Sequence, residues 1–185
     1  MATQNMQTKL ASVFDTLKET FSYTNVMQTA TIEKVIVATG IGKIEDKQMI
    51  AHIQDRLALI TGQKASPRAA RMSIATFKLR EGDIVGFQVT LRGGRMRTFL
   101  DKLIDVALPQ TRDFRGLNAT AIDEMGNITL GLKDHTIFPE TMNDDLKDVF
   151  GLAITIVTTA KTPAEAEALL RHIGLPLKKT VVETK

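Results

Sequence analysis

The chain has 185 residues, 43% of them hydrophobic, and a formal charge of +3. That length gives one domain with an aliphatic core, since there is no Trp, one Tyr and eight Phe. The lack of cysteine excludes disulfides and thiolate metal sites, His52, His135 and His172 lack ligand spacing, and no run approaches the ~20 apolar residues of a membrane span. With no secretory signal at the N-terminus either, the expectation is a cytoplasmic protein with no membrane contact and no cofactor.

From Asn5 to Phe21 apolar residues recur at Met6, Leu10, Val13, Phe14, Leu17 and Phe21, which predicts one amphipathic helix. Thr31 to Thr39 is rich in β-branched residues and predicts a strand ended by Gly40 and Gly42. Asp46 reads as the N-cap of a helix from Lys47 to about Ile60, with Gly62 as its stop.

Residues 63–97 follow, with eight Lys or Arg against two acids, a net +6 in a chain of +3. A surface so unequal suits a polyanion, because neutralising phosphates releases their counterions. The cations are Lys64, Arg68, Arg71, Lys78, Arg80, Arg92, Arg95 and Arg97, and they punctuate apolar segments instead of forming a tail. Ser73 to Leu79 alternates as a strand, Glu81-Gly82-Asp83 reads as a turn, and Val85 to Leu91 as the hairpin partner. On such strands Lys78 and Arg80 would share one side, as would Thr90 and Arg92. Phe77, beside those cations, is either a core residue or a platform for a base. Gly93-Gly94 then opens a helix faced by Met96, Phe99, Leu100, Leu103, Ile104 and Ala107, with Pro109 after its end.

Residues 109–150 are less regular, apart from a short strand at Asn127 to Leu132, and read as a functional loop region. Leu152 to Thr159 alternates as a strand. Thr162-Pro163-Ala164-Glu165 supplies an N-cap, a proline at the first helical position and the Glu of a capping box. The helix ends before Gly174, and Lys178 to Lys185 reads as a polar tail. The order of elements gives an α+β fold, a largely antiparallel sheet with helices packed on one face and the other face left free, a polar face suited to the polyanion that the basic stretch calls for.

No catalytic constellation is visible. The string RGGR at 92–95 precedes a helix and could cradle a phosphate, yet it matches neither GxxxxGK[ST] nor GxGxxG. A tight strand-to-helix turn explains the glycines equally well.

The strings GQK (62–64), MSIATFKLREG (72–82), VTLRGGRM (89–96), DFRGL (113–117), IFPE (137–140) and ITIVTTAKTPAEAEALL (154–170) resemble, in order and spacing, the 5S-rRNA-binding family of the large ribosomal subunit. The family is number five in the large-subunit list, and the likeness is to its bacterial and organellar form. No single string is specific; six in order are. The resemblance implies a structural ribosomal protein, not an enzyme, with 5S rRNA, large-subunit rRNA and other large-subunit proteins as neighbours. It implies an RNA-facing set that includes Gln63, Phe77, Lys78, Thr90 and Arg92, to which the basic stretch adds Lys64, Arg68, Arg71, Ser73, Arg80 and Arg95. It further implies that Ala65 to Ser73 lies near the elbow of the P-site tRNA. The irregular region, with Arg112, Asp113, Arg115, Asp123 and Glu124, would face a protein of the small-subunit head. Two departures stand out: Ala38-Thr39 precedes Gly40 where the family usually has Asn, and Ala65-Ser66-Pro67 moves a proline that usually follows GQK directly.

Two rival readings remain open on the residues alone. One is a free RNA-binding regulator using the same basic face. The other is a phosphate-handling enzyme built on RGGR, against which stand the missing lysine after the glycines and the lack of a general base.

Overall fold

The computed structural model describes residues 5–42, 44, 46–112, 114–144 and 148–178. These fall into two compact units. The first takes in the described parts of Met1–Val35, Arg92–Leu130 and Thr155–Lys185, the second Ile36–Leu91 and Gly131–Ile154. The strands are β1 (Ile32–Gly40), β2 (Ser66–Ala69), β3 (Ile84–Leu91), β4 (Ile128–Leu132) and β5 (Leu152–Thr158). They form an antiparallel sheet in the order β2-β3-β1-β5-β4. Alternation decides the faces: Phe87, Val89 and Leu91 of β3 are buried, as are Ile128, Leu130 and Leu132 of β4 and Leu152, Ile154 and Ile156 of β5. The α+β expectation holds.

In the first unit the predicted N-terminal helix is two, α1 (Met6–Ala11) and α2 (Val13–Phe21). The break is at Ser12, whose hydroxyl donates back to Lys9 O at 3.0 Å and lies 3.0 Å from His172 Nε2. A serine that bonds its own preceding turn competes with the helix ladder. Met6, Val13 and Leu17 still form one buried face, as the periodicity requires. The later helix also differs from expectation. It does not stop before Pro109 but runs as α4 (Gly93–Lys102), a π turn (Leu103–Ala107) and α5 (Leu108–Gln110). Proline cannot donate, and its ring crowds the carbonyl four residues back; the widened π turn immediately upstream accommodates both.

The last helix, α6 (Pro163–His172), is capped by Thr162, whose hydroxyl accepts from Glu165 N–H at 3.3 Å. Glu165 is buried, and its carboxylate accepts both Lys161 N–H, at 2.9 Å, and the hydroxyl of Tyr23. Burial first, and then the hydrogen bond to and charge of Glu165, push the Tyr23 phenol up to about 12.

The second unit holds α3 (Lys47–Thr61), capped by Asp46, which accepts Gln48 N–H at 2.9 Å. Ile53, Leu57 and Ile60 are its buried stripe. The predicted hairpin must be corrected here. Ser73 to Leu79 is not a strand. β3 pairs instead with β2, in the register Ser66↔Gln88, Pro67↔Phe87, Arg68↔Gly86. β2 lies at the edge of the sheet, where a proline without an N–H is tolerated. Residues 74–79 close into a small loop: Ile74 N–H donates to Leu79 O at 3.0 Å and Leu79 N–H to Ile74 O at 3.2 Å, around a 3₁₀ turn at Ala75–Phe77. The apolar alternation of this segment has no core to face, since Ile74 and Phe77 are both exposed. The tail at 179–185 lies outside the described residues.

Candidate nucleic-acid interface

In the second unit, residues opposite one another in an antiparallel pair share a face. The register therefore puts Ser66 and Arg68 on the side of Gln88 and Gly86, away from the side that buries Phe87 and Val89. Thr90, half-buried, continues that side, and Gln63 Nε2 lies 3.5 Å from its carbonyl oxygen. On this face is an open hollow of about 510 Å³, lined by Ala38, Gly40, Arg68, Gly86, Gln88 and Ala153 among others. Its floor is made of residues with little or no side chain. Gly86 is required there: a Cβ on it would lie 2.6 Å from Thr39 O. Arg68 and Gln88 supply side-chain donors at this floor.

Beyond β2 the chain leaves the core. From Arg71 to Lys78 every residue is exposed, and only Ala70 and Leu79 at the flanks are half-buried. Phe77 is 71% exposed and Met72 70%. Phe77 is thus not a core residue, and the stacking alternative is the one its position permits. Arg71, Lys78 and Arg80 are in the same segment. Lys78 takes a left-handed φ of 52°, so it ends the 3₁₀ turn and does not alternate with Arg80 along a strand. The loop is ordered by hydrogen bonds, not by burial. Ala70 N–H donates to Asp83 O at 2.8 Å and Gly82 N–H to Ala70 O at 3.1 Å. Asp83 Oδ2 accepts Arg80 N–H at 2.8 Å, and Ser73 Oγ accepts Glu81 N–H at 3.0 Å. Lys64, just before β2, is exposed as well.

In the first unit Arg92 is the residue before α4, and its guanidinium pairs with Glu33 at 3.0 Å. That hydrogen bond, with Lys34 nearby, holds the Glu33 carboxyl below the usual carboxylate range. Arg95 is exposed in the first turn of α4. Arg112, Arg115, Asp123 and Glu124 are exposed in the irregular region, while Asp113 lies outside the described residues. Asp123 acts on its own turn, where its carboxylate accepts Asn127 N–H at 2.6 Å and Asn127 Nδ2 at 3.0 Å. Those bonds hold its carboxyl below the usual range and close the turn that presents Met125.

One cluster had no sequence signal. His52, His135 and Asp144 bring three ligand-type atoms within 4.8 Å of one another. His135 is fully buried and stacks on Phe150, the ring centroids 4.1 Å apart. Its Nδ1 accepts Phe150 N–H at 3.3 Å, so the neutral ring carries its proton on Nε2 and donates it to Asp144 Oδ2 at 3.1 Å. A metal on Nε2 would need that nitrogen bare, and Arg56 already lies 3.0 Å from Asp144 Oδ1. The donor set fits an ion-paired clasp between α3 and the 135–144 segment and does not fit a metal.

Fold and surface together define an α+β protein whose distinctive chemistry is a cationic, outward-facing loop beside a small-residue sheet face. Comparison with known sequences agrees. Residues 25–80 match the family described as ribosomal protein L5, and residues 84–177 match the C-terminus of the same ribosomal family. The chain is 49% identical over 168 residues to large ribosomal subunit protein uL5 of Flavobacterium johnsoniae, covering 90% of this chain and 92% of that protein. It is 47% identical over 167 residues to the uL5 of Geobacter sulfurreducens, covering 90% and 93%. It is 45% identical over 181 residues to that of Brevibacillus brevis, covering 97% and 100%. The chain belongs to the uL5 family of ribosomal proteins. It is a structural constituent of the large subunit, among rRNA and other ribosomal proteins, and not an enzyme.

Proposed function

We propose that the chain binds 5S rRNA, and that the second unit does so through its uncovered sheet face and the projecting loop. Gln63, Lys64, Arg68, Arg71, Ser73, Phe77, Lys78, Arg80 and Thr90 make that contact. Arg92 and Arg95, in the first unit, add phosphate contacts at the start of α4. The observation that carries this reading is the loop at 70–83: it is ordered, exposes three cations and an aromatic ring, and contributes almost nothing to a core. Ala65 to Ser73 lies near the elbow of the P-site tRNA. Arg112, Asp113, Arg115, Asp123 and Glu124 serve a weak, mixed-charge contact with the small-subunit head, of the kind in which rim charges set register more than affinity. The protein works on the ribosome, in the cytoplasm.

The test is binding of transcribed 5S rRNA at several salt concentrations, beside sucrose-gradient sedimentation of tagged protein. If four to six cations meet phosphates, log K falls against log[salt] with a slope of about −3 to −5. A slope near zero, or protein absent from the large-subunit fractions, overturns the reading.

A further inference from the structure

The loop at 70–83 has a feature its charge does not explain. Among 35 residues that carry eight cations there are two acids, Glu81 and Asp83, and each weakens attraction to a phosphate. Asp83 has a use that offsets this. Every backbone N–H from Phe77 to Asp83 has a partner. Five of these seven N–H groups are met by four carbonyls of the loop and its base: Ile74 O serves Phe77 and Leu79, Ala75 O serves Lys78, Ala70 O serves Gly82, and Arg80 O serves Asp83. The two donors the backbone leaves over, Arg80 and Glu81, are taken by side chains, Asp83 Oδ2 and Ser73 Oγ. Since the residues from Arg71 to Lys78 are all exposed, no apolar burial holds their shape. Polar closure is what keeps the ring of Phe77 and the ammonium of Lys78 in one arrangement.

Resting on the RNA-binding reading above, we propose that Asp83 is a positioning residue: its carboxylate closes the loop on Arg80 N–H and so pre-organises Phe77 and Lys78 for RNA. A loop already in its bound shape loses less conformational freedom on binding. Charge and shape predict opposite signs, which makes the proposal testable. Removing the acid makes the loop more cationic. Electrostatics alone therefore tightens RNA binding in any neutral variant, whereas positioning weakens it wherever the acceptor is lost.

The experiment compares Asp83→Ala, Asp83→Asn and Glu81→Gln with the parent chain, using 5S rRNA at fixed salt, thermal melts and limited trypsin digestion, for which Arg71, Lys78 and Arg80 are the sites within the loop. Asp83→Ala is expected to bind about fivefold more weakly, as the loss of one hydrogen bond implies. Its Tm is expected to stay within a degree or two of the parent's, and trypsin to cut the loop faster. Asp83→Asn keeps an acceptor oxygen and is expected to restore both affinity and resistance; Glu81→Gln is expected to bind as tightly as the parent or more so. The proposal is overturned if Asp83→Ala binds as well as the parent, if Asp83→Asn is as weak as Asp83→Ala, or if the affinity lost tracks a fall in Tm. If the parent chain itself shows no salt-dependent binding, the underlying reading falls, a result distinct from a parent that binds and an Asp83→Ala that binds equally.

Discussion

Gly86 and Thr39 approach so closely that a single Cβ on the glycine would lie 2.6 Å from the Thr39 carbonyl oxygen. The neighbour is backbone within a sheet and cannot rotate away. Gly86→Ala is therefore expected to strain the β1–β3 pairing and to cost about 1–3 kcal/mol, in the manner of an overpacked core. For a chain of this size that lowers Tm by several degrees in a thermal melt. An unchanged Tm would mean that the strands separate there at little cost.

The two exposed groups of the loop should separate by salt dependence. Lys78 is left-handed, so Lys78→Gly removes the charge without imposing strain. It is expected to reduce the salt slope of 5S rRNA binding by about one, as for one phosphate contact. Phe77→Ala is expected to leave the slope alone and to cost ~1–3 kcal/mol of binding, as for a ring stacked on a base. Because Phe77 is exposed, its loss should not move Tm; a fall in Tm with intact affinity would sink the stacking role.

The clasp at Asp144 gives a stability prediction and a metal prediction. Asp144→Ala strands the buried Nε2–H of His135 and is expected to cost about 1–3 kcal/mol in a chemical denaturation. Zinc added to the parent chain is expected to leave its melt unchanged, because Nδ1 of His135 is held by Phe150 N–H. A zinc-dependent rise in Tm that Asp144→Ala abolishes would reassign the trio as ligands.

Tyr23 sets an alkaline limit. Its phenol is raised from 10.0 to about 12 by the fold, so between those values the unfolded chain has given up a proton that the folded chain keeps. The folded state then binds more protons, and stability falls as pH rises through that window, while below it the contribution is complete. Denaturation at several pH values below and across this window should show the loss in the parent and a smaller one in Tyr23→Phe. Equal slopes would remove Tyr23 from the account.

The turn at 123–127 allows a narrow test of the small-subunit contact. Asp123 must be kept, since it closes the turn on Asn127. Replacing Glu124-Met125 by Gly-Ser is expected to leave 5S rRNA binding unchanged and to weaken subunit association at low magnesium. Equal loss of both would show that this turn supports the fold and does not meet the other subunit.

Much of this was legible in the residues, for local reasons. Asp46 and Thr162 cap helices with side chains that act within three residues of themselves. β1 and β5 are long enough for β-branched runs to declare them. The hairpin was misplaced because β2 spans four residues, carries Pro67 and buries none of them, so it has no periodicity to read. Ser73 to Leu79 shows the converse: Ile74, Phe77 and Leu79 have the pattern of a half-buried strand without the burial. The charge of the candidate surface could be counted directly. The closing hydrogen bonds of Asp83 and Ser73 could not, because they depend on where a turn places two backbone donors. The clasp joins His52 to His135 and Asp144, which lie far along the chain and beyond any spacing rule.

The edge strand β2 also bears on how this chain behaves before it has a partner. A free strand edge is a template on which a second copy can add its own strand, and repetition of that step builds aggregates. Here the edge is four residues long, lacks one donor at Pro67 and carries a charge at Arg68. An incoming strand finds too few hydrogen bonds and a cation at its centre. The features that hid β2 from a sequence pattern thus keep newly made chains from pairing through this edge.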